Sequence, residues 1–82
     1  MSIEQVPSSL RELLADVFEV APEQITPELS MTTAENWDSF RHLQTILALE
    51  GEYGVQFDPQ QIPELTSVAL LLAELKKKGV AL

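Results

Sequence analysis

The sequence predicts an all-α fold: a small four-helix bundle of three longer helices and one short one, with a long loop between the first two. Three observations carry that expectation. Apolar residues recur at helical spacing in three separate segments, the first being Leu10, Leu13, Leu14, Val17 and Phe18. Capping and stopping residues bracket those segments. The best alternating stretch, Val55-Gln56-Phe57, is too short to pair as a strand alone.

The first helix carries its apolar stripe at i, i+3, i+4, i+7 and i+8, one face of a helix. Ser9 and Glu12 have the spacing of a capping box. A start near Ser2 is the alternative, because Val6 extends the stripe and Pro7 is tolerated in a first turn. Pro22 should end the helix near Val20. Residues 21–37 show no sustained period and hold Pro22, Pro27, Ser30, Thr32, Thr33 and Asn36, so they read as a connection. So long a loop in a small domain tends to be functional or packed on itself. Ile25, Leu29, Met31 and Trp37 can supply the packing.

Asp38 is the expected N-cap of the second helix. That helix should run to about Tyr53 and stop at a left-handed Gly54. Asp58-Pro59 opens a short third element through Leu65, limited by Pro63. Thr66 or Ser67 caps the last helix, whose apolar face is Val68, Leu71, Leu72 and Leu75. Gly79 ends it, with Val80 placed for a Schellman contact to Leu75.

Composition narrows the function. The 82 residues fit one domain, 1–82, and carry a net charge of −8. Residues 1–75 hold all thirteen acids against two arginines, a balance of −11. Lys76, Lys77 and Lys78 close the last helix, where cations offset its dipole. Nucleic acid needs a basic footprint, so it is not an expected partner. The acidity suits basic partner surfaces or solubility alone. There is no cysteine and one histidine, which removes disulfides, a thiolate nucleophile and a Cys- or His-rich metal site. The start Met1-Ser2-Ile3-Glu4-Gln5 does not read as a secretory signal. The longest apolar run, Val68 to Ala73, is far short of a membrane span. The expectation is a cytoplasmic monomer with no membrane partner.

The second helix is more apolar than one core contact requires. With Phe40 at zero and about 100° per residue, Leu43 falls near 300° and Leu47 near 340°. Ile46, Leu49 and Tyr53 fall at roughly 240°, 180° and 220°, with His42 on the same side. The 46/49/53 side is expected in the core, leaving Phe40, Leu43 and Leu47 partly exposed for a partner. The alternative is that residues 21–37 cover them. Ser39 stands at the positive end of the helix, where phosphate is favoured. Spacing alone reads Asp38-Ser39 as ordinary capping first and as a hydroxyl presented for phosphate chemistry second.

The run from Asp38-Ser39-Phe40-Arg41-His42-Leu43 to Glu50 resembles the modification site of acyl carrier proteins. Glu50-Gly51-Glu52-Tyr53-Gly54-Val55-Gln56-Phe57 is similar to the end of that family's second helix and its apolar anchor. Leu65-Thr66-Ser67-Val68 is similar to the entry into the last helix, and Val20, Ile25 and Thr26 match the first loop. The resemblance spans nearly the whole chain. It implies that Ser39 carries 4′-phosphopantetheine, donated from coenzyme A by a phosphopantetheinyl transferase that uses Mg²⁺. Asp38 would aid recognition at that step. Phe40, Arg41, Leu43, Leu47 and Glu50 would form the partner surface, Glu50 as a rim charge. Ile46, Leu49, Tyr53, Ile62 and Val68 would line the core and any acyl pocket. The implied function is to hold an acyl or aminoacyl thioester on the arm and deliver it to partner enzymes. Those would be a loading enzyme and downstream transferases or synthases. A flexible tether would raise the cargo's local concentration at each of them. The carrier itself would perform no chemistry and hold no metal.

Two departures qualify the resemblance. Glu35-Asn36-Trp37 replaces the usual Leu-Gly approach to the Asp-Ser pair, with Trp37 as substitute packing. Arg41 and His42 stand where fatty-acid carriers are usually acidic or small. Both features look more like specialised stand-alone carriers of secondary-metabolite, amino-acid or short-acyl pathways. Two rival readings remain. Ser39 and His42, at i and i+3, could form a hydrolytic pair, but Asp38 is not placed to orient His42. The stronger rival is a non-carrying acidic interaction module in which Ser39 belongs only to the helix cap.

Overall fold

The computed structural model describes residues 6–81. Three α-helices make up the bundle: α1 (Ser8–Phe18), α2 (Ser39–Tyr53) and α3 (Val68–Lys77). Short 3₁₀ turns at Pro22–Gln24 and Ile62–Glu64 lie in the connections. The expected short third helix is therefore the second of these turns. Pro63 removes an amide donor there, so only tight i→i+3 bonding survives. No strand forms among the described residues; one isolated antiparallel bridge joins Ser30 to Ser67.

The core is built from the stripes that the spacing marks out. Leu10, Leu14 and Phe18 of α1, Ile46 and Leu49 of α2, and Val68, Leu71, Leu72 and Leu75 of α3 are all buried. Ile25 and Trp37 join them from the 21–37 connection, with Leu29 and Met31 packed against the same cluster. That connection is tied down by backbone bonds. Met31 N–H donates to Thr66 C=O at 2.9 Å, and Val68 N–H donates to Leu29 C=O at 2.9 Å.

The ends of α1 differ from expectation. Pro7 stands at the N-cap position and makes no side-chain cap bond. Ser9 instead pairs its hydroxyl with the Tyr53 hydroxyl at 3.0 Å, so no capping box forms. The alternative start near Ser2 lies outside the described residues. The helix stops at Phe18 and not near Val20, because Glu19 turns left-handed with φ 59°. Its last four carbonyls are then all satisfied. Val20 N–H bonds Ala15 C=O at 3.0 Å and Glu19 N–H bonds Asp16 C=O at 3.3 Å, a Schellman arrangement. Arg41 donates from its guanidinium to Val17 C=O. Asn36 Nδ2 donates to Phe18 C=O at 3.0 Å.

The ends of α2 and α3 follow the sequence reading. Asp38 Oδ1 accepts from Arg41 N–H at 2.9 Å, and Gly54 closes α2 at φ 66°. Ser67 rather than Thr66 caps α3, accepting from Leu70 N–H at 3.2 Å. At its far end Val80 N–H bonds Leu75 C=O and Gly79 N–H bonds Lys76 C=O, both at 3.0 Å. Lys77 and Lys78 pair with the buried Glu74, at 4.0 Å and 3.6 Å.

Candidate functional site

The site is the exposed start of α2. Ser39 is the first helical residue and is solvent-exposed. The first-turn amides of any helix lack intrahelical acceptors. Asp38 satisfies that of Arg41 and leaves those of Ser39 and Phe40 at the open end. Beside Ser39 lies an open groove lined by Met31, His42, Leu43, Ile62 and Pro63. A positive helix end, a free hydroxyl and a mostly apolar groove therefore converge on one place.

The two sides of α2 separate sharply. Phe40 is 68% exposed, Leu43 54% and Leu47 67%, whereas Ile46 is 2% exposed and Leu49 fully buried. The 21–37 connection does not cover the exposed stripe, because its own apolar residues face the core. Replacing Leu47 by alanine should therefore change unfolding free energy by less than about 0.5 kcal/mol. A urea titration showing a loss of about 2 kcal/mol or more would place Leu47 in the core instead.

Behind the groove sits a polar relay. Trp37 is buried, its ring centroid 4.8 Å from that of Phe18. Its indole Nε1–H donates to His42 Nδ1 at 3.0 Å. An indole can only donate, so Nδ1 is an acceptor and the neutral ring carries its proton on Nε2. That proton meets the Ile62 C=O, 2.6 Å away. Both ring nitrogens are thus committed, and His42 has none left to act as base for Ser39. The hydrolytic pair fails on this geometry.

Three expected roles change. Arg41 is not a free surface charge: it spans to Val17 C=O, and its other amine lies 3.8 Å from Glu19. Glu50 is half-buried and accepts from Phe57 N–H at 2.9 Å, so it anchors the chain after α2 and is not a simple rim charge. Of the five residues expected to line core and pocket, Ile46, Leu49 and Val68 are in the packed core. Tyr53 and Ile62 are only partly buried, and Ile62 is the one that reaches the groove. Sequence reading missed Met31 and Pro63 as groove residues. Both lie in irregular segments where periodicity gives no signal.

No helix among the described residues is long and apolar enough to cross a membrane. No cluster of three or more His, Cys, Asp or Glu side chains among them is placed to hold a metal ion.

Comparison with known proteins agrees with this geometry. A family model described as the phosphopantetheine attachment site matches residues 8–75. An acyl carrier protein of Thermosynechococcus vestitus is 30% identical over 81 residues, 99% of this chain and 100% of that protein. An acyl carrier protein of Nitratidesulfovibrio vulgaris is 27% identical over 78 residues, 95% of this chain and 99% of that one. A meromycolate extension acyl carrier protein of Mycolicibacterium smegmatis is 26% identical over 74 residues, 90% and 75% of the two chains. Carriers of this kind bind 4′-phosphopantetheine covalently and are not enzymes. The chain belongs to the acyl carrier protein family.

Proposed function

We propose that Ser39 holds the 4′-phosphopantetheine arm and that the chain delivers an acyl or aminoacyl group on it to partner enzymes. The observation that supports this most is the placement of the Ser39 hydroxyl, exposed at the first residue of α2 beside the groove. The residues there fit the group. The helix dipole and the unpaired first-turn amides favour the anionic phosphodiester. Asp38 fixes that turn and leaves the hydroxyl free. Met31, Leu43, Ile62 and Pro63 offer an apolar wall beside it. The terminal thiol of the arm supplies the thioester chemistry, which a chain without cysteine could not supply itself.

The partners on this reading are a phosphopantetheinyl transferase, a loading enzyme, and downstream transferases or synthases. The chain acts as one monomeric cytoplasmic domain, without nucleic acid or membrane. The Trp37–His42 relay and the absence of acids between Ser39 and Leu49 support a specialised carrier over a housekeeping fatty-acid one.

Intact mass spectrometry tests the assignment. After incubation with coenzyme A, Mg²⁺ and a broad-specificity phosphopantetheinyl transferase, the chain should gain the mass of one phosphopantetheine. Ser39→Ala should gain none while keeping a wild-type circular dichroism spectrum. Addition that persists in Ser39→Ala would move the site elsewhere. No addition to the wild type, where a control carrier is modified, would favour the non-carrying interaction module.

A further inference from the structure

The exposed stripe of α2 has two flanks with different chemistry. On one flank Leu43 faces the groove it shares with Ser39, Ile62 and Pro63. On the other, Phe40 and Gln44 border a second hollow, completed by Asp16, Val17, Glu19 and Arg41 at the seam between α1 and α2. Asp16 also lines a third hollow further along the seam, with Glu12 of α1 and Glu52 of α2. The two seam hollows thus share Asp16 as a lining residue.

The charge lies on the seam. From Ser39 to Leu49, α2 contributes no acid at all. Glu12, Asp16, Glu19 and Glu52 line the seam hollows and are exposed. The cation lining them, Arg41, is turned toward Val17 C=O and balanced by Glu19 at 3.8 Å. Glu12, Asp16 and Glu52 then remain as a negative strip along the seam; the exposed Phe40 borders it at Asp16, and the exposed Leu47 follows about two turns further along α2 on the same face. An apolar ridge edged on one side by negative charge is complementary to an apolar notch edged by basic side chains.

We propose that the α1–α2 seam is the docking surface for the enzyme that modifies Ser39. Phe40 and Leu47 serve as the apolar anchors, and Glu12, Asp16 and Glu52 as the electrostatic guide. The opposite flank, with Leu43 and the groove, stays free for the arm. The partner is a protein with a basic-rimmed apolar patch, and α1 takes as large a part in meeting it as α2. This rests on the Ser39 reading above.

The test is the kinetics of phosphopantetheine addition by a broad-specificity transferase, followed by intact mass at several salt concentrations. Charges at the edge of an interface act mainly on encounter and on salt dependence. Glu12→Lys/Asp16→Lys should raise the KM for the apo-carrier about tenfold, leave kcat near wild type, and flatten the salt dependence. The milder Glu12→Gln/Asp16→Asn pair should raise it about threefold, which guards against misfolding of the reversal. Glu23→Lys/Glu28→Lys makes the same charge change at exposed positions outside the seam hollows and should leave KM within about twofold. Normal modification of the wild type with equal effects from both lysine pairs overturns the seam surface alone. A wild type that takes no phosphopantetheine while a control carrier does removes the Ser39 reading as well.

Discussion

Trp37→Ala is expected to cost about 3–5 kcal/mol of unfolding free energy, the range for emptying a buried indole site. A domain of this length has a total stability of roughly 4–12 kcal/mol, so the loss removes a large share of it. The size of the loss follows from what the ring touches. It is 2% exposed and stacks at a tilt on Phe18, whose own ring is buried at the end of α1. It also provides the only proton offered to His42 Nδ1 among the described contacts. Truncation removes the packing, opens a cavity and orphans a buried acceptor together. Urea unfolding followed by far-UV circular dichroism measures the effect without needing the indole as reporter. A midpoint shift worth less than about 1 kcal/mol would show that the surrounding side chains collapse into the gap.

His42→Ala should cost about 2–4 kcal/mol, for a different reason. The imidazole is 5% exposed and joins three segments through two bonds, Trp37 on one side and Ile62 on the other. Its removal orphans the buried indole N–H, at about 1–3 kcal/mol when water cannot reach it, empties the imidazole site, and leaves the Ile62 carbonyl with Leu65 N–H as its remaining donor. The 3₁₀ turn at Ile62–Glu64 should loosen first, since Ile62 C=O is its tie to α2. Faster amide exchange at Leu65, whose N–H bonds that same carbonyl at 3.2 Å, reports the loosening. A double-mutant cycle with Trp37→Phe isolates the indole–imidazole bond and should return a coupling of about 1 kcal/mol. Strict additivity would mean the bond contributes nothing to stability.

Much of this was legible in the residues. The stripes on α1, α2 and α3 named the core, and the polar or glycine residues at Asp38, Gly54, Ser67 and Gly79 named most helix ends. The width of the apolar arc on α2 also indicated that one side would remain exposed. What was not legible depends on distant partners. Arg41 looked like a surface charge because nothing local shows that the end of α1 presents a bare carbonyl to it. Asn36 is a residue of the connection, as expected, but its bond to the Phe18 carbonyl has no local signal for the same reason. Ser9 and Glu12 have the spacing of a capping box, yet the N-cap is Pro7, two residues earlier, and Ser9 meets Tyr53. Pro22 points to an end of α1 near Val20, later than the observed Phe18. The left-handed Glu19, a residue type not favoured there, does the stopping. Glu50 shows the complementary case: an acid on a wheel reads as solvent-facing until the returning chain brings an amide to it.

The bridge between Ser30 and Ser67 also bears on how the chain folds. Helical bundles with short connections fold quickly because their contacts are local in sequence. Here two of the firmest loop bonds join Leu29 and Met31 to Val68 and Thr66, across a separation of about half the chain. Closing that large ring costs entropy that the contacts within a single helix do not. Helix formation alone therefore leaves the protein short of its native state. The same contacts hold the central connection on the start of α3 and place Met31 at the groove beside Ser39.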